Sequence, residues 1–195
     1  MTTEPAHDPR PTFARALDQA GKQVAAVRPD ELTGRTPCAD YDVRALLGHV
    51  VSVLHKLARV GTGGDARGVP DVIDGVADDG WASAFARARV EVERVWAGDG
   101  QLDRMVELPW ATLPGREVLE AYTHEFTVHS WDLAYATRRL AELDPELAAQ
   151  ALEAFSKFAP PEARSEQGGP FSPVVPVPDD ADVYTRLAAY LGRRP

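Results

Sequence analysis

Cysteine is nearly absent from this sequence, since Cys38 is the only one among 195 residues. A disulfide within the chain is therefore excluded, and we expect the protein to work in a reducing compartment, the cytoplasm. Long apolar runs are missing too, because no stretch approaches the roughly 20 residues that a membrane-spanning helix requires. The first residues, MTTEPAHDPRP, lack the basic and apolar regions of a secretory signal. These absences predict a soluble protein without a membrane partner.

An excess of basic residues is also lacking. The chain has 30 acidic and 21 basic residues, and its formal net charge is −9. Because nucleic-acid binding needs a basic face, we expect no nucleic-acid partner. Hydrophobic residues make up 44% of the chain and charged residues 26%, which is typical of a soluble domain with a proper core.

Apolar residues recur at helical spacing in four long segments. The spacing predicts helices over residues 13–27, 43–60, 78–96 and 117–140. Shorter helices are predicted over 145–158 and 181–191, with a short strand in DRMVELPW and a turn in ATLPG. Four amphipathic helices with little strand predict an all-α protein, a four-helix bundle with a short β element.

The two ends of the chain differ in composition from the helical segments. Residues 1–12 are polar and proline-rich, so we predict a flexible N-terminus followed by a single domain over 13–195. The segment after the fifth helix has too many prolines and glycines for regular structure. It carries four apolar side chains, Phe171, Val174, Val175 and Val177. We therefore predict that this Pro-rich C-terminal segment packs on the bundle.

Glu125 and His129 lie at i and i+4 in the segment HEFTVHSWD, within the apolar stripe of the fourth predicted helix. Their side chains should lie one above the other on the face that points inward. His49 lies on the inward side of the second helix. A buried carboxylate without a partner is costly, so the spacing is compatible with an ion pair or with ligands of one metal. Spacing alone leaves both interpretations open.

Three nitrogen and oxygen ligands would leave one coordination position open, which is typical of catalytic zinc sites. The ligand types suit Zn²⁺, and Ni²⁺ is also compatible. Asp132, three residues after His129, can orient an imidazole or pair with Arg44 of the second helix, although an ordinary solvent-facing acid is the alternative. We interpret Trp131 as a packing aromatic and Cys38 as a small half-buried residue.

Two histidines fall outside this set. His124 points away from Glu125 on the helix, and His55 lies nearly two turns beyond His49. We expect both to pack at the surface or rim of the bundle, and not to bind metal.

Two segments carry a family resemblance: TPCADYDVRALLGHVV at 36–51 and YTHEFTVHSWDLAYATRR at 122–139. They resemble the two signatures of the DinB/YfiT-like metal-binding family, of the mycothiol-dependent maleylpyruvate isomerase N-terminal-domain type. The resemblance implies that His49, Glu125 and His129 are the metal ligands. The last segment, PFSPVVPVPDDADVYTRLAAYLGRRP, is similar to short single-domain actinobacterial metal-binding proteins. Tyr41 takes the place of the tryptophan usual in the family.

The resemblance implies a metal-dependent S-transferase or isomerase that activates mycothiol or a similar thiol against a small electrophile. A metal-containing small-molecule-binding or stress-response bundle without turnover is the alternative. The full isomerase has a second, C-terminal domain for which this chain leaves no room, so we do not expect maleylpyruvate isomerisation itself. A homodimer is compatible with such a bundle, although we see no exposed apolar stripe that requires one.

Overall fold

A computed structural model describes residues 7–164 and 172–194 of the chain. In these ranges the helices are α1 (Arg10–Ala26), α2 (Val43–Gly61), α3 (Trp81–Trp96), α4 (Gly100–Asp103), α5 (Gly115–Thr137), α6 (Pro145–Phe158) and α7 (Val183–Tyr190). Two short antiparallel strands, β1 (Met105–Glu107) and β2 (Thr112–Pro114), pair so that Val106 lies opposite Leu113. None of the described helices is both long and apolar enough to cross a bilayer.

The four longest helices form the bundle. Helix α1 packs on α3 and α5, and α2 packs on the same two helices from the other side. Fully buried apolar side chains fill the space between them, among them Leu17, Leu54, Val92 and Leu119. Because these residues recur every three or four positions, each helix turns one apolar stripe inward. The predicted all-α fold, a four-helix bundle with a short β element, is confirmed.

A second apolar cluster covers the other face of α5. Trp131 and Val128 of α5 pack with residues of α6 and α7, including Ala148 and Leu187. Helix α5 therefore contacts the bundle core on one side and this C-terminal pair of helices on the other. Its buried stripe is wide for that reason, and polar residues on it are enclosed from both sides.

Several predicted boundaries differ from the structure. Helix α1 begins at Arg10, inside the predicted flexible 1–12, of which residues 1–6 lie outside the described ranges. The predicted ATLPG turn contains β2, because Leu113 packs on the core while pairing with β1. The four-residue helix α4 was not predicted, and it buries Leu102. Helix α5 ends at Thr137, where Arg138 takes a left-handed conformation with φ 61°.

The described part of the Pro-rich segment contacts α7. The backbone N–H of Val175 donates to the carbonyl of Ala189 at 2.9 Å. Val175 and Val177 are half-buried, whereas Val174 is 38% exposed. Phe171, the fourth predicted anchor, lies outside the described residues. The described part of the segment thus lies against the C-terminal helix, joined to it by a backbone hydrogen bond.

Candidate metal centre

Helices α2 and α5 bring the three predicted ligands together. The Nε2 atom of His49 lies 3.0 Å from Oε1 of Glu125, and Nε2 of His129 lies 3.2 Å from the same oxygen. The two imidazole rings are 4.9 Å apart, centroid to centroid, and meet edge to face. One ligand atom from each residue lies within 4.8 Å of the others. His49, Glu125 and His129, which helical spacing placed on the inward sides of α2 and α5, therefore converge on one point.

The three side chains differ in depth. His129 is 7% exposed, whereas the side chain of Glu125 is 36% exposed. The side chain of His49 lies between them at 13%. The centre is therefore closed on the side of His129 and reachable from solvent on the side of Glu125.

The hydrogen bonds at the far side of each ring fix its tautomer. Nδ1 of His49 lies 3.1 Å from the carbonyl oxygen of Asp71, and Nδ1 of His129 lies 3.0 Å from Oδ2 of Asp132. A carbonyl and a carboxylate only accept, so each Nδ1 must carry the hydrogen. In the neutral form of each ring, Nε2 then presents a lone pair toward Glu125.

Two nitrogen lone pairs and a carboxylate oxygen that face one another repel unless a cation lies among them. Ligand atoms at the usual Zn–N and Zn–O distances are about 3.3 Å apart in a tetrahedral site. The observed separations of 3.0 and 3.2 Å between the Nε2 atoms and Oε1 of Glu125 are close to that value. The residues present therefore fit a divalent ion of this type.

Protons can supply the same positive charge. Burial alone would lower the pKa of His129, but the charges and hydrogen bonds of Glu125 and Asp132 prevail and raise it to about 9. Burial opposes the charge on Glu125 as well, yet His129 and His49 hold the pKa of that carboxyl well below its usual range. Without metal, the centre therefore holds a carboxylate beside a protonated imidazole at neutral pH.

A loop and one aromatic ring hold His49 in place. The N–H of Ile73 donates to the carbonyl of Gly48 at 3.1 Å, which docks the loop that carries Asp71. A Cβ atom at Gly48 would lie 2.6 Å from the carbonyl oxygen of Ile73, so only glycine permits this approach. The ring of Tyr41 stacks on His49 with centroids 5.0 Å apart. Tyr41 therefore packs directly on a candidate ligand.

Asp132 lies behind His129 and is completely buried. Its two oxygens accept from Nε and Nη2 of Arg193 at 2.7 and 2.8 Å, in addition to His129. The predicted pairing of Asp132 with Arg44 is wrong. Arg44 is on the outer side of α2, with its side chain 42% exposed, and it binds Asp78 at 2.7 Å. The sequence did not reveal Arg193, because LGRRP at the chain end has no pattern that links it to α5.

Cys38, His129 and Asp132 form a second group whose potential ligand atoms lie within 4.8 Å of one another. This group suits a metal poorly, because the guanidinium of Arg193 already occupies both oxygens of Asp132 and repels a further cation. Burial and the charge of Asp132 raise the pKa of the Cys38 thiol, although Arg193 opposes this. The thiol therefore stays protonated, as expected for a small half-buried residue.

The remaining candidates lie apart from the centre. His55 is exposed on α2. His124 is half-buried near Phe155, with ring centroids 5.9 Å apart, and burial lowers its pKa to about 4. Trp131 is 2% exposed and packs beside Tyr135, with centroids 5.1 Å apart. These positions agree with the packing roles predicted for them.

Known proteins share both the sequence pattern and the fold. Residues 13–134 match the family profile described as the mycothiol maleylpyruvate isomerase N-terminal domain. Two uncharacterized proteins of Mycobacterium tuberculosis, from strains CDC 1551 / Oshkosh and ATCC 25618 / H37Rv, are each 31% identical over 186 residues. These matches cover 95% of this chain and 98% of each relative.

A solved structure, the crystal structure of the mycothiol-dependent maleylpyruvate isomerase, superposes with a TM-score of 0.55 at 15% identity. The match covers 68% of this chain and 63% of the isomerase chain, so this likeness concerns the fold alone. The family profile, in contrast, covers more than half of the chain, with all of the first signature segment and residues 122–134 of the second. The chain therefore belongs to the family of the mycothiol maleylpyruvate isomerase N-terminal domain.

Proposed function

We propose that this protein binds one divalent metal ion and uses it to activate a low-molecular-weight thiol of the mycothiol type against a small electrophile. The reaction would be an S-transfer or a thiol-dependent isomerisation. The observation that supports the proposal is the convergence of two imidazole Nε2 atoms on one carboxylate oxygen, that of Glu125. Membership of the family adds the thiol as the expected cosubstrate.

His49, Glu125 and His129 would hold the ion, with Zn²⁺ as our first choice and Ni²⁺ as the second. When bound, such an ion lowers the pKa of a coordinated thiol, so that the thiolate is present at neutral pH. The protein itself orients the ligands. The carbonyl of Asp71 and the carboxylate of Asp132 fix the two rings so that each Nε2 points to the centre.

A cavity of about 430 Å³ lies next to the loop that carries Asp71 and offers room for a small molecule, although none of the three candidate ligands lines it. Tyr122, one helical turn before Glu125, forms part of its wall, and so does Asp71, whose carbonyl binds His49. Trp110 and Arg67 also line it, as does Lys56, whose ammonium pairs with Asp71. An aromatic surface beside a cationic side chain suits a small electrophile that is flat or carries a negative charge. We propose this cavity as the place of the electrophile.

The test is conjugate formation by the Zn²⁺-loaded protein with mycothiol and a panel of small unsaturated electrophiles. We expect turnover that is lost in His49→Ala and kept in His55→Ala, an exposed histidine on the same helix. The conjugate is quantified by mass spectrometry. A wild-type rate of conjugate formation no higher than that of His49→Ala would contradict an enzymatic function.

The alternative is a metal-containing small-molecule binder without turnover. The match to the isomerase spans 63% of that protein's chain at 15% identity, so the likeness of fold does not carry an activity over to this chain. Calorimetry separates the two functions, because a binder would take up mycothiol in the presence of Zn²⁺ without forming a conjugate. A thiol-dependent function also suits the cytoplasm, which we propose as the location.

A further inference from the structure

The chain turns sharply after α7, at Gly192. This residue has φ +82°, and a Cβ atom there would collide with the Cβ of Ser172. Such a left-handed residue at the end of a helix strongly favours glycine. The N–H of Arg193 then donates to the carbonyl of Ala188 at 2.9 Å, which closes the turn. The turn directs the side chain of Arg193 toward α5.

Arg193 meets Asp132 in a two-point contact. Nε lies 2.7 Å from Oδ1 and Nη2 lies 2.8 Å from Oδ2, and Oδ2 also accepts from Nδ1 of His129 at 3.0 Å. Asp132 is fully buried and the side chain of Arg193 is 14% exposed. A planar guanidinium bound through two parallel hydrogen bonds fixes both the position and the plane of a carboxylate.

We propose that Arg193 is a positioning residue of the metal centre, acting through Asp132 on His129. Without Arg193, a buried carboxylate held only by His129 would keep one oxygen unsatisfied and would be free to rotate about its Cβ–Cγ bond. The imidazole of His129 would lose its fixed orientation with it, and Nε2 would no longer point steadily at the oxygen of Glu125. The C-terminal turn is thus part of the metal centre. This inference rests on the proposed metal binding.

The coupling must also act in the opposite direction, because linkage between two sites is reciprocal. Metal binding at Nε2 of His129 favours the ring orientation that Asp132 and Arg193 stabilise. We therefore expect metal to protect the C-terminal turn as well as the ligands. Hydrogen exchange of the amide of Arg193, which is bonded to Ala188, should slow when Zn²⁺ is added.

The test compares Arg193→Ala, Arg193→Lys and the neighbouring control Arg194→Ala, an exposed residue. Zn²⁺ affinity is measured by competition with a chromogenic chelator, and ligand geometry by the visible absorption of bound Co²⁺. We expect Arg193→Ala to weaken Zn²⁺ binding by about 10–100-fold and to change the Co²⁺ spectrum. Arg193→Lys keeps the positive charge but cannot form the two parallel hydrogen bonds to Asp132, so it should recover only part of the lost Zn²⁺ affinity. Arg194→Ala should match the wild type.

A double-mutant cycle separates this action from a general loss of structure. If Arg193 acts through Asp132, replacing Arg193 with Ala in an Asp132→Asn background should weaken Zn²⁺ binding no further. Additive losses, or an unchanged affinity and Co²⁺ spectrum in both Arg193 variants, would overturn the inference while leaving metal binding intact. A wild-type protein that binds no Zn²⁺ would overturn the proposed function itself, and this inference with it.

Discussion

Nε2 of His49, on α2, lies 3.0 Å from Oε1 of Glu125, on α5. The carbonyl of Asp71 accepts a hydrogen bond from Nδ1 of His49, so in the neutral ring the two atoms that face each other are both acceptors. Nε2 of His129, on the next turn of α5, lies 3.2 Å from the same oxygen. The helices of the bundle core are therefore held together around a point that needs positive charge. A metal ion or a proton on His129 can supply that charge, and the carbonyl of Asp71 and the carboxylate of Asp132 hold the two rings in place.

Removal of metal should lower thermal stability. A ligand that binds only the folded state at 100 times its Kd stabilises the protein by about 2.7 kcal/mol. For a domain of this size, that corresponds to roughly 5–10 °C in Tm. We expect a scanning calorimetry shift of this size when chelator is added to the Zn²⁺-loaded wild type. His49→Ala should show no chelator effect, and a wild-type Tm that chelator leaves unchanged would argue for a purely structural ion pair.

Without metal, stability should fall as pH rises from about 6.5 to 9. The pKa of His129 in the folded protein is raised to about 9 from an unfolded value near 6.5, so its contribution is complete below pH 6.5 and lost on passing pH 9. Glu125 contributes to stability in a different pH range. Its pKa in the folded protein lies well below the normal value, so its contribution is lost only at acidic pH. Denaturant unfolding of chelator-treated protein at several pH values measures this slope.

His129→Gln is the control for that slope, since the neutral amide does not titrate. The variant should lack the decline between pH 6.5 and 9 that the wild type shows. With saturating Zn²⁺, the wild type should lose this decline, because the metal displaces the proton of His129 and its binding tightens with pH by as much as the metal-free protein loses stability. Equal slopes of stability against pH in the metal-free wild type and in His129→Gln would disprove the assignment of this decline to His129.

Gly48→Ala should weaken both the fold and the centre. The added methyl group would lie 2.6 Å from the carbonyl of Ile73 and push away the loop that carries Asp71. Overpacking of this kind costs about 1–3 kcal/mol in the free energy of unfolding. Zn²⁺ affinity should fall as well, since His49 loses the carbonyl that orients it. Gly98→Ala is the matched control, because its new methyl group would meet no atom within 4 Å.

Tyr41 should contribute through its ring and not through its hydroxyl group. The ring stacks on His49, whereas the hydroxyl lies 3.5 Å from Nδ1, at the limit of a hydrogen bond. Tyr41→Phe and Tyr41→Trp should therefore bind Zn²⁺ as the wild type does, and Tyr41→Ala should bind it more weakly. An affinity loss in Tyr41→Phe equal to that in Tyr41→Ala would assign the contribution to the hydroxyl.

The sequence predicted the helices that carry the centre because helical periodicity is a local property. Glu125 and His129 share a face by spacing alone, and the inward side of α2 was readable from its apolar stripe. The contact between Arg193 and Asp132 joins segments 61 positions apart, so local patterns contain no trace of it. The carbonyl that orients His49 belongs to the backbone of Asp71, and residue identity does not mark which carbonyl a loop will present.

The short β element shows the same limit at smaller scale. ATLPG has the composition of a turn, yet Thr112–Pro114 is extended because β1 lies beside it and Leu113 has a core to pack on. Composition describes what a segment prefers in isolation, and tertiary contacts decided the outcome in this case.

Metal content tests the account most directly. Purified protein, first stripped with chelator and then reconstituted with Zn²⁺ and dialysed, is analysed by plasma mass spectrometry alongside Glu125→Ala and the exposed-residue control His55→Ala. We predict one Zn²⁺ per chain in the wild type and in His55→Ala, and a loss of bound Zn²⁺ in Glu125→Ala. No stoichiometric metal in the wild type, or an equal amount in Glu125→Ala, would contradict the assignment of His49, Glu125 and His129 as the metal centre.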